Sequence, residues 1–186
     1  YPRQNKSIFK ILIILMFIMS NFEKVVNFNE IFGVKTHSTP QLNIFDSDPS
    51  LVSLRMKLIR EEVQELEDAV AQKDMTEAVD ALADILYVVY GAGASFGIDM
   101  DKAFDIVHSS NMSKTCKTME HAEETVEWYK KNSEEYNKTN PAQAPIAPAI
   151  RKSEDGKLFV VYNETTGKIL KSVYYTPAKF DSVLNI

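Results

Sequence analysis

Glu61, Glu62 and Glu65 stand shortly before Glu77, Asp80 and Asp84, and carboxylates so spaced can hold a divalent cation or move protons. At about 100° per residue, Leu58, Glu62, Glu65 and Ala69 fall within about 60° of one another on a helix. Ile59, Val63, Leu66 and Val70 form the adjoining apolar stripe. Glu62 is thereby predicted inside the inward-facing stripe, Glu65 on its margin and Glu61 just outside. The second cluster sits in a segment from Ala78 to Val89 that is apolar around nearly its whole circumference, which predicts a buried helix. Its acids, Glu77, Asp80 and Asp84, share one narrow stripe with Tyr87. Isolated buried carboxylates neutralise themselves or destabilise the fold, so buried acids are normally paired or bound to a cation.

A few residues join the two helices, so they should pack antiparallel and set Glu62 and Glu65 opposite Glu77 and Asp80. No basic residue is apparent on either facing stripe. Four converging carboxylates without Arg or Lys imply a divalent metal. Hard oxygen ligands indicate Mg²⁺, with Mn²⁺ as the alternative, rather than zinc. An acidic run such as EEVQELED is by itself commonly a solvated helix face; its pairing with acids in an apolar helix favours a site. Asp84 and Tyr87 are candidates to support the ligands from behind, Tyr87 equally by packing in the core.

These clusters need helices to position them. Phe22, Val25, Val26, Phe28 and Phe32 recur at helical spacing before Gly33, and residues 34–49 read as a loop with Pro40 and Pro49. A long helix is predicted over residues 50–72 and a second from Asp74 and Thr76 to about Ala94. A third, capped by Asp99, should run through Ser109. A fourth, capped by Thr118, covers MEHAEETVEWYKKNSEEYNK. Character changes after Asn140. Residues 141–156 open with PAQAPIAPAI and read as a proline-rich linker. KLFVVY (157–162) and KILKSVYY (168–175), separated by NETTG, read as a β-hairpin. The expected architecture is mainly α: an antiparallel helix bundle over 21–140, a linker over 141–156 and a small C-terminal β-hairpin over 157–186.

The chain's 186 residues suit one domain-sized core, and 21 Lys plus Arg against 26 Asp plus Glu leave a net charge of -5. Acidic balance without a long basic run argues against nucleic acid as a partner. A single cysteine, Cys116, excludes an intramolecular disulfide framework, excludes Cys-based zinc sites and fits a reducing, cytoplasmic setting. Residues 1–20 are a separate matter. Basic Arg3, Lys6 and Lys10 accompany the apolar run IFKILIILMFIM, which admits a signal or anchor segment, a packed helix, or translation from upstream of the native start. The run is shorter than the ~20 apolar residues that span a bilayer, which argues against a membrane partner. Met19 opens an ordinary soluble sequence, MSNFEKVVNFNEIFG, and favours the last reading.

Glu61-Glu62-x-x-Glu65 followed by Glu77-x-x-Asp80 resembles the EExxE…ExxD signature of the all-α nucleoside triphosphate pyrophosphatases. That superfamily includes MazG-like proteins, phosphoribosyl-ATP pyrophosphohydrolase and the dimeric dUTPases and dCTPases. Ser110-Asn111-Met112-Ser113-Lys114 is similar to the SNMSK segment of MazG-like members. TGKILKS (166–172) and YTPA (175–178) resemble their DGKVLKS…YxPA ending, with Thr166 in place of the usual Asp. The resemblance covers roughly residues 22–181. It implies Glu62, Glu65, Glu77 and Asp80 as ligands to Mg²⁺, and Glu61 as a supporting carboxylate or the base that activates water. It also implies Asn111 and Lys114 as nucleotide contacts, and Lys168 and Lys171 as partners of the phosphates.

The expected activity is Mg²⁺-dependent cleavage of a nucleoside triphosphate to monophosphate and pyrophosphate, of the MazG-like house-cleaning kind. A dUTPase or dCTPase is the nearest alternative, and SNMSK points away from phosphoribosyl-ATP. A metal-stabilised helical binding module without turnover is the rival of another class; it needs ligands but not the additional Glu61. No Walker-type loop and no Ser/His/Asp arrangement competes. Apolar surface on more than one side of the long helices, together with the resemblance, leads to an expected homodimer or homotetramer.

Overall fold

The computed structural model describes residues 19–186, and among them the first helix starts after Ser20. The apolar extension expected over residues 1–20 lies, but for its last two residues, outside that range. The Ser20 hydroxyl accepts from the Glu23 amide at 3.1 Å, and the Ser20 amide donates to the Glu23 carboxylate at 2.8 Å. This reciprocal box opens α1 (Asn21–Ile31). A single turn, α2 (Ile44–Ser47), precedes the two long helices α3 (Pro49–Gln72) and α4 (Met75–Phe96).

Both long helices have strong ends. Pro49 stands in the first turn of α3, where its missing N–H costs nothing, and Asp48 caps it by accepting from the Leu51 amide at 3.1 Å. Lys73 stops α3 in the left-handed region at φ 59°. Asp74 then caps α4 through Thr76 and Glu77. With so short a connection α4 folds back along α3, and these two helices make the most extensive contact of any pair. At the far end Gly97 has φ 73°, and a Cβ there would collide with the Thr39 carbonyl. Glycine thus lets the incoming loop close on the end of α4. Gly91 and Gly93 do not end the helix; they are buried within it.

Asp48 also receives the Lys35 ammonium at 2.6 Å, and its carboxyl is lowered to about 2 by Lys35, then Ser50 and the Leu51 amide. A depressed carboxyl contributes stability above its unfolded value of 3.8 that is lost as pH falls toward 2. Acidification through that window should therefore lower the urea midpoint followed by circular dichroism. Asp48→Asn keeps a capping oxygen and removes the charge. It should reduce stability at neutral pH and flatten the acid slope; an unchanged slope would remove Asp48 from the acid response.

Two compact units make up the chain: residues to Phe104 with Phe180–Ile186, and Asp105–Lys179. The boundary falls within α5 (Met100–Met112), not at Asn140 as the composition change suggested. The first unit is completed by α8 (Asp181–Leu184), whose Val183 is buried.

The second unit contains α6 (Met119–Lys131), α7 (Ser133–Thr139) and the strands β1 (Pro148–Lys152) and β2 (Phe159–Asn163), paired antiparallel from Pro148↔Asn163 to Lys152↔Phe159. The expected fourth helix is broken at Asn132 and packs on the strands. Its apolar face supplies Ala122, Val126 and Tyr129 to a core with Cys116, Val161 and Leu170. Two strand expectations are corrected. The supposed linker contains β1, which pairs with β2. KILKSVYY is no strand; it touches the sheet in one bridge, Ile169 to Tyr162. The reason is local. After Leu170 donates to Val161, the Tyr129 hydroxyl takes both backbone groups of Lys171 at 3.2 Å, drawing the chain off the sheet.

Asn163 holds the other side of the sheet. Fully buried, it accepts from the Ala147 and Thr165 amides and donates to the Gln143 carbonyl at 2.8 Å. Its polar groups are satisfied without water, as a buried amide requires.

Candidate active site

The acids meet along the seam of α3 and α4. Burial raises the Glu62 carboxyl above its ordinary value, and the charges of Glu65, Asp84, Glu61 and Asp80 raise it further. Five of the six acids singled out from sequence therefore share one electrostatic neighbourhood. Glu62 is partly buried, whereas Glu61, Glu65, Glu77, Asp80 and Asp84 are exposed. Glu77 occupies the first turn of α4, its amide bonded to Asp74, and adds nothing to the strain on Glu62. Glu61 forms an ion pair with Lys57 at 3.2 Å, one turn earlier on α3. That pair is exposed on both sides, so it holds Glu61 weakly and leaves it free to exchange partners.

The sequence placed these acids in a buried helix. The structure does not: Val79, Leu82 and Leu86 on α4 are 59%, 52% and 56% exposed, because α1 and α3 cover only one side of it. Among the described residues no group of three or more His, Cys, Asp or Glu side chains is arranged to hold a metal ion. Like charges repel, so exposed carboxylates spread into water. The donor set nevertheless suits a hard divalent cation. All its atoms are carboxylate oxygens, and among the described residues Glu62, Glu65, Asp80 and Asp84 form no ion pair.

Sequence reasoning missed a buried cation on the same seam. Arg55 precedes Glu62 by seven residues, two turns along the same face of α3, and is 6% exposed. Its Nε donates to Ser95 Oγ at 2.8 Å, while Nη2 is buried without a partner among the described residues. Ser95 Oγ in turn donates to the Lys35 carbonyl at 3.1 Å. The heptad spacing Arg55–Glu62–Ala69 was the available signal. Gly91 makes the room: a Cβ there would stand 3.2 Å from the Arg55 guanidinium. Tyr87, 40% exposed, meets Phe28 edge-on with ring centres 5.5 Å apart.

The remaining sequence candidates belong to the second unit. Asn111 lies in the last turn of α5 and accepts from the Lys114 ammonium at 2.7 Å. Lys114, Lys168 and Lys171 line one recess of about 690 Å³.

Residues 25–111 match the phosphoribosyl-ATP pyrophosphohydrolase family, a stretch that contains every acid of the seam. The chain belongs to the all-α nucleoside triphosphate pyrophosphatase superfamily. Its mainly helical fold is that of the family, whose members are pyrophosphohydrolases. The chain is also similar to uncharacterized protein L479 of Acanthamoeba polyphaga mimivirus, at 30% identity over 89% of this chain and 96% of that protein. The match to that relative extends past the family stretch. Family membership supports a pyrophosphohydrolase-like function for the chain.

Proposed function

We propose that the chain is a Mg²⁺-dependent nucleoside triphosphate pyrophosphohydrolase, releasing a monophosphate and pyrophosphate in the manner of MazG-like house-cleaning enzymes. One observation carries the reading: within the family stretch, α3 and α4 bring Glu61, Glu62, Glu65, Asp80 and Asp84 into one like-charged neighbourhood, in which, among the described residues, only Glu61 forms an ion pair. Glu62, Glu65, Glu77 and Asp80 would hold Mg²⁺, or Mn²⁺, which when bound neutralises triphosphate charge and makes water easier to deprotonate. Glu61, exposed and paired with Lys57, would take that proton. Asn111 and Lys114 contact the nucleotide, Asn111 fixing the direction of the lysine. Lys168 and Lys171 assist with its phosphates. Asp84 supports the ligands from the next turn of α4.

A screen of ribo- and deoxynucleoside triphosphates for pyrophosphate release, with Mg²⁺ and with chelator, tests the proposal. Release from at least one triphosphate only in the presence of metal is expected. Preference for dUTP or dCTP would move the chain to the neighbouring dUTPase and dCTPase type. No turnover of any triphosphate, nor of phosphoribosyl-ATP, with Mg²⁺ or Mn²⁺ would leave a metal-stabilised binding module.

Lys114→Met keeps the side-chain length and removes the charge. It should lower kcat/KM by about 10–1000-fold, equivalent to ~1.4–4 kcal/mol of transition-state stabilisation. Melting temperature should hardly change, since the lysine makes no ion pair among the described residues. Equal losses of affinity for triphosphate and monophosphate would withdraw the phosphate role.

A further inference from the structure

The 690 Å³ recess of the second unit has the size of a small-molecule site, and its walls are of two kinds. Three ammonium groups, from Lys114, Lys168 and Lys171, line it against a single carboxylate, Glu124. That carboxylate is engaged, accepting from the Tyr174 hydroxyl at 2.7 Å. Among the described residues none of the three lysines forms an ion pair. A chain of net charge -5 has thus gathered unneutralised positive charge in one concavity. The second wall is aromatic. Trp128 meets Tyr129 edge-on with centres 4.9 Å apart, and Tyr129 meets Tyr136 likewise at 5.1 Å, so the three rings brace one another.

Two of the groups are positioned in advance. Tyr129, itself 4% exposed, fixes the backbone of Lys171 through its hydroxyl, and the Lys171 ammonium lies 4.7 Å from the centre of the Tyr175 ring. Trp128 keeps 47% of its surface open at the wall, an unusual exposure for so large an apolar ring. Every lining residue lies beyond residue 111, where the family stretch ends.

We infer that this recess is a nucleotide-binding site of the second unit, in which Trp128 and Tyr136 hold a nucleobase and Lys168 and Lys171 hold its phosphates. Phosphate needs several ammonium groups without competing acids, and bases of every kind stack on aromatic faces. An apolar ligand would leave the three lysines idle, and a simple anion would leave the aromatic wall idle. A nucleoside polyphosphate uses both. The inference deepens the proposed hydrolase reading, from which it takes the ligand's class and the phosphate role of Lys168 and Lys171, and adds the aromatic hold on the base. It requires neither the metal nor the acidic seam.

Trp128 is the chain's one tryptophan, so its emission, excited beyond tyrosine absorption, reports on this recess alone. The titration is made on the full chain carrying Glu62→Gln, in chelator, with a nucleoside, its monophosphate, its triphosphate and inorganic tripolyphosphate. Saturable quenching by the triphosphate is expected, about tenfold or more tighter than by the nucleoside. Tripolyphosphate should compete for the site without itself quenching. Lys168→Met with Lys171→Met should weaken the triphosphate by about tenfold or more and leave the nucleoside unchanged. Trp128→Leu, followed by equilibrium dialysis, should weaken nucleoside and triphosphate alike, by roughly 5–150-fold. No saturable response to any triphosphate, or equal affinity for nucleoside and triphosphate, would overturn the inference. Binding by a chain that hydrolyses nothing in its Glu62 form would sustain it while the hydrolase reading fell.

Discussion

Replacing Glu62 with glutamine should abolish metal-dependent pyrophosphate release while leaving the helices intact. Glu62 is the carboxylate on which burial and the charges of Glu65, Asp84, Glu61 and Asp80 all act, so it is the acid with most to gain from a bound cation. Glutamine keeps its length and polarity and removes the charge that would draw a cation inward. A fall of about 1000-fold or more in kcat/KM is expected, corresponding to about 4 kcal/mol or more. The metal-free protein should become no less stable, and its melting temperature should rise, because one member of a mutually repelling group has been neutralised. Asp80→Asn should repeat both effects in milder form for stability, since Asp80 is exposed. Full turnover by both variants in Mg²⁺ would sink the assignment of the seam as the catalytic site.

Charging the uncovered row of α4 should change the molecule's mass. Met75, Val79, Leu82 and Leu86 recur at heptad spacing and are all more than half exposed. On α3, Met56, Val63 and Val70 repeat every seven residues and are also exposed. Large contiguous apolar rows seldom face water on a stable monomer. By length and composition α4 would also serve as a membrane span, but Glu77, Asp80 and Asp84 along it favour protein as the cover. Two copies of the α3–α4 pair would bury both rows as a four-helix bundle. The wild-type chain, 21.1 kDa alone, is therefore expected to scatter light as a dimer or larger. Leu82→Glu with Leu86→Glu should give the single-chain mass with the helical signal retained, because both side chains are already exposed. A fully active wild-type monomer would end the proposal.

The helices were legible because their determinants are local. Ser20, Asp48, Asp74 and Thr118 each cap a helix through their own neighbours, and apolar periodicity did the rest. The acids of the seam were legible for the same reason: helical spacing and a short connection fix which side chains face each other. The strands were not. Both candidates flanking NETTG have β composition, and the choice turned on a contact distant in sequence, Tyr129 to Lys171, which pulls one away and leaves Pro148–Lys152 as the partner. The burial of α4 was misjudged because an apolar helix reads the same whether its own chain or another covers it. Arg55 went unseen because its tolerance for burial depends on Gly91 and Ser95, forty residues on.

The division of the chain has a practical consequence. The first unit runs to Phe104 and resumes at Phe180, so the nucleotide-recess unit is an insertion carried between two pieces of its host. Lys102 donates to the Ser182 carbonyl at 2.5 Å, which puts the departing and returning chain side by side. A short bridge from 104 to 180 would therefore excise the insert without opening the host, whereas trimming the last seven residues would strip the host of Val183. Residues 180–186 belong to the unit that carries the acidic seam, and removing them would injure the half that they do not adjoin in sequence.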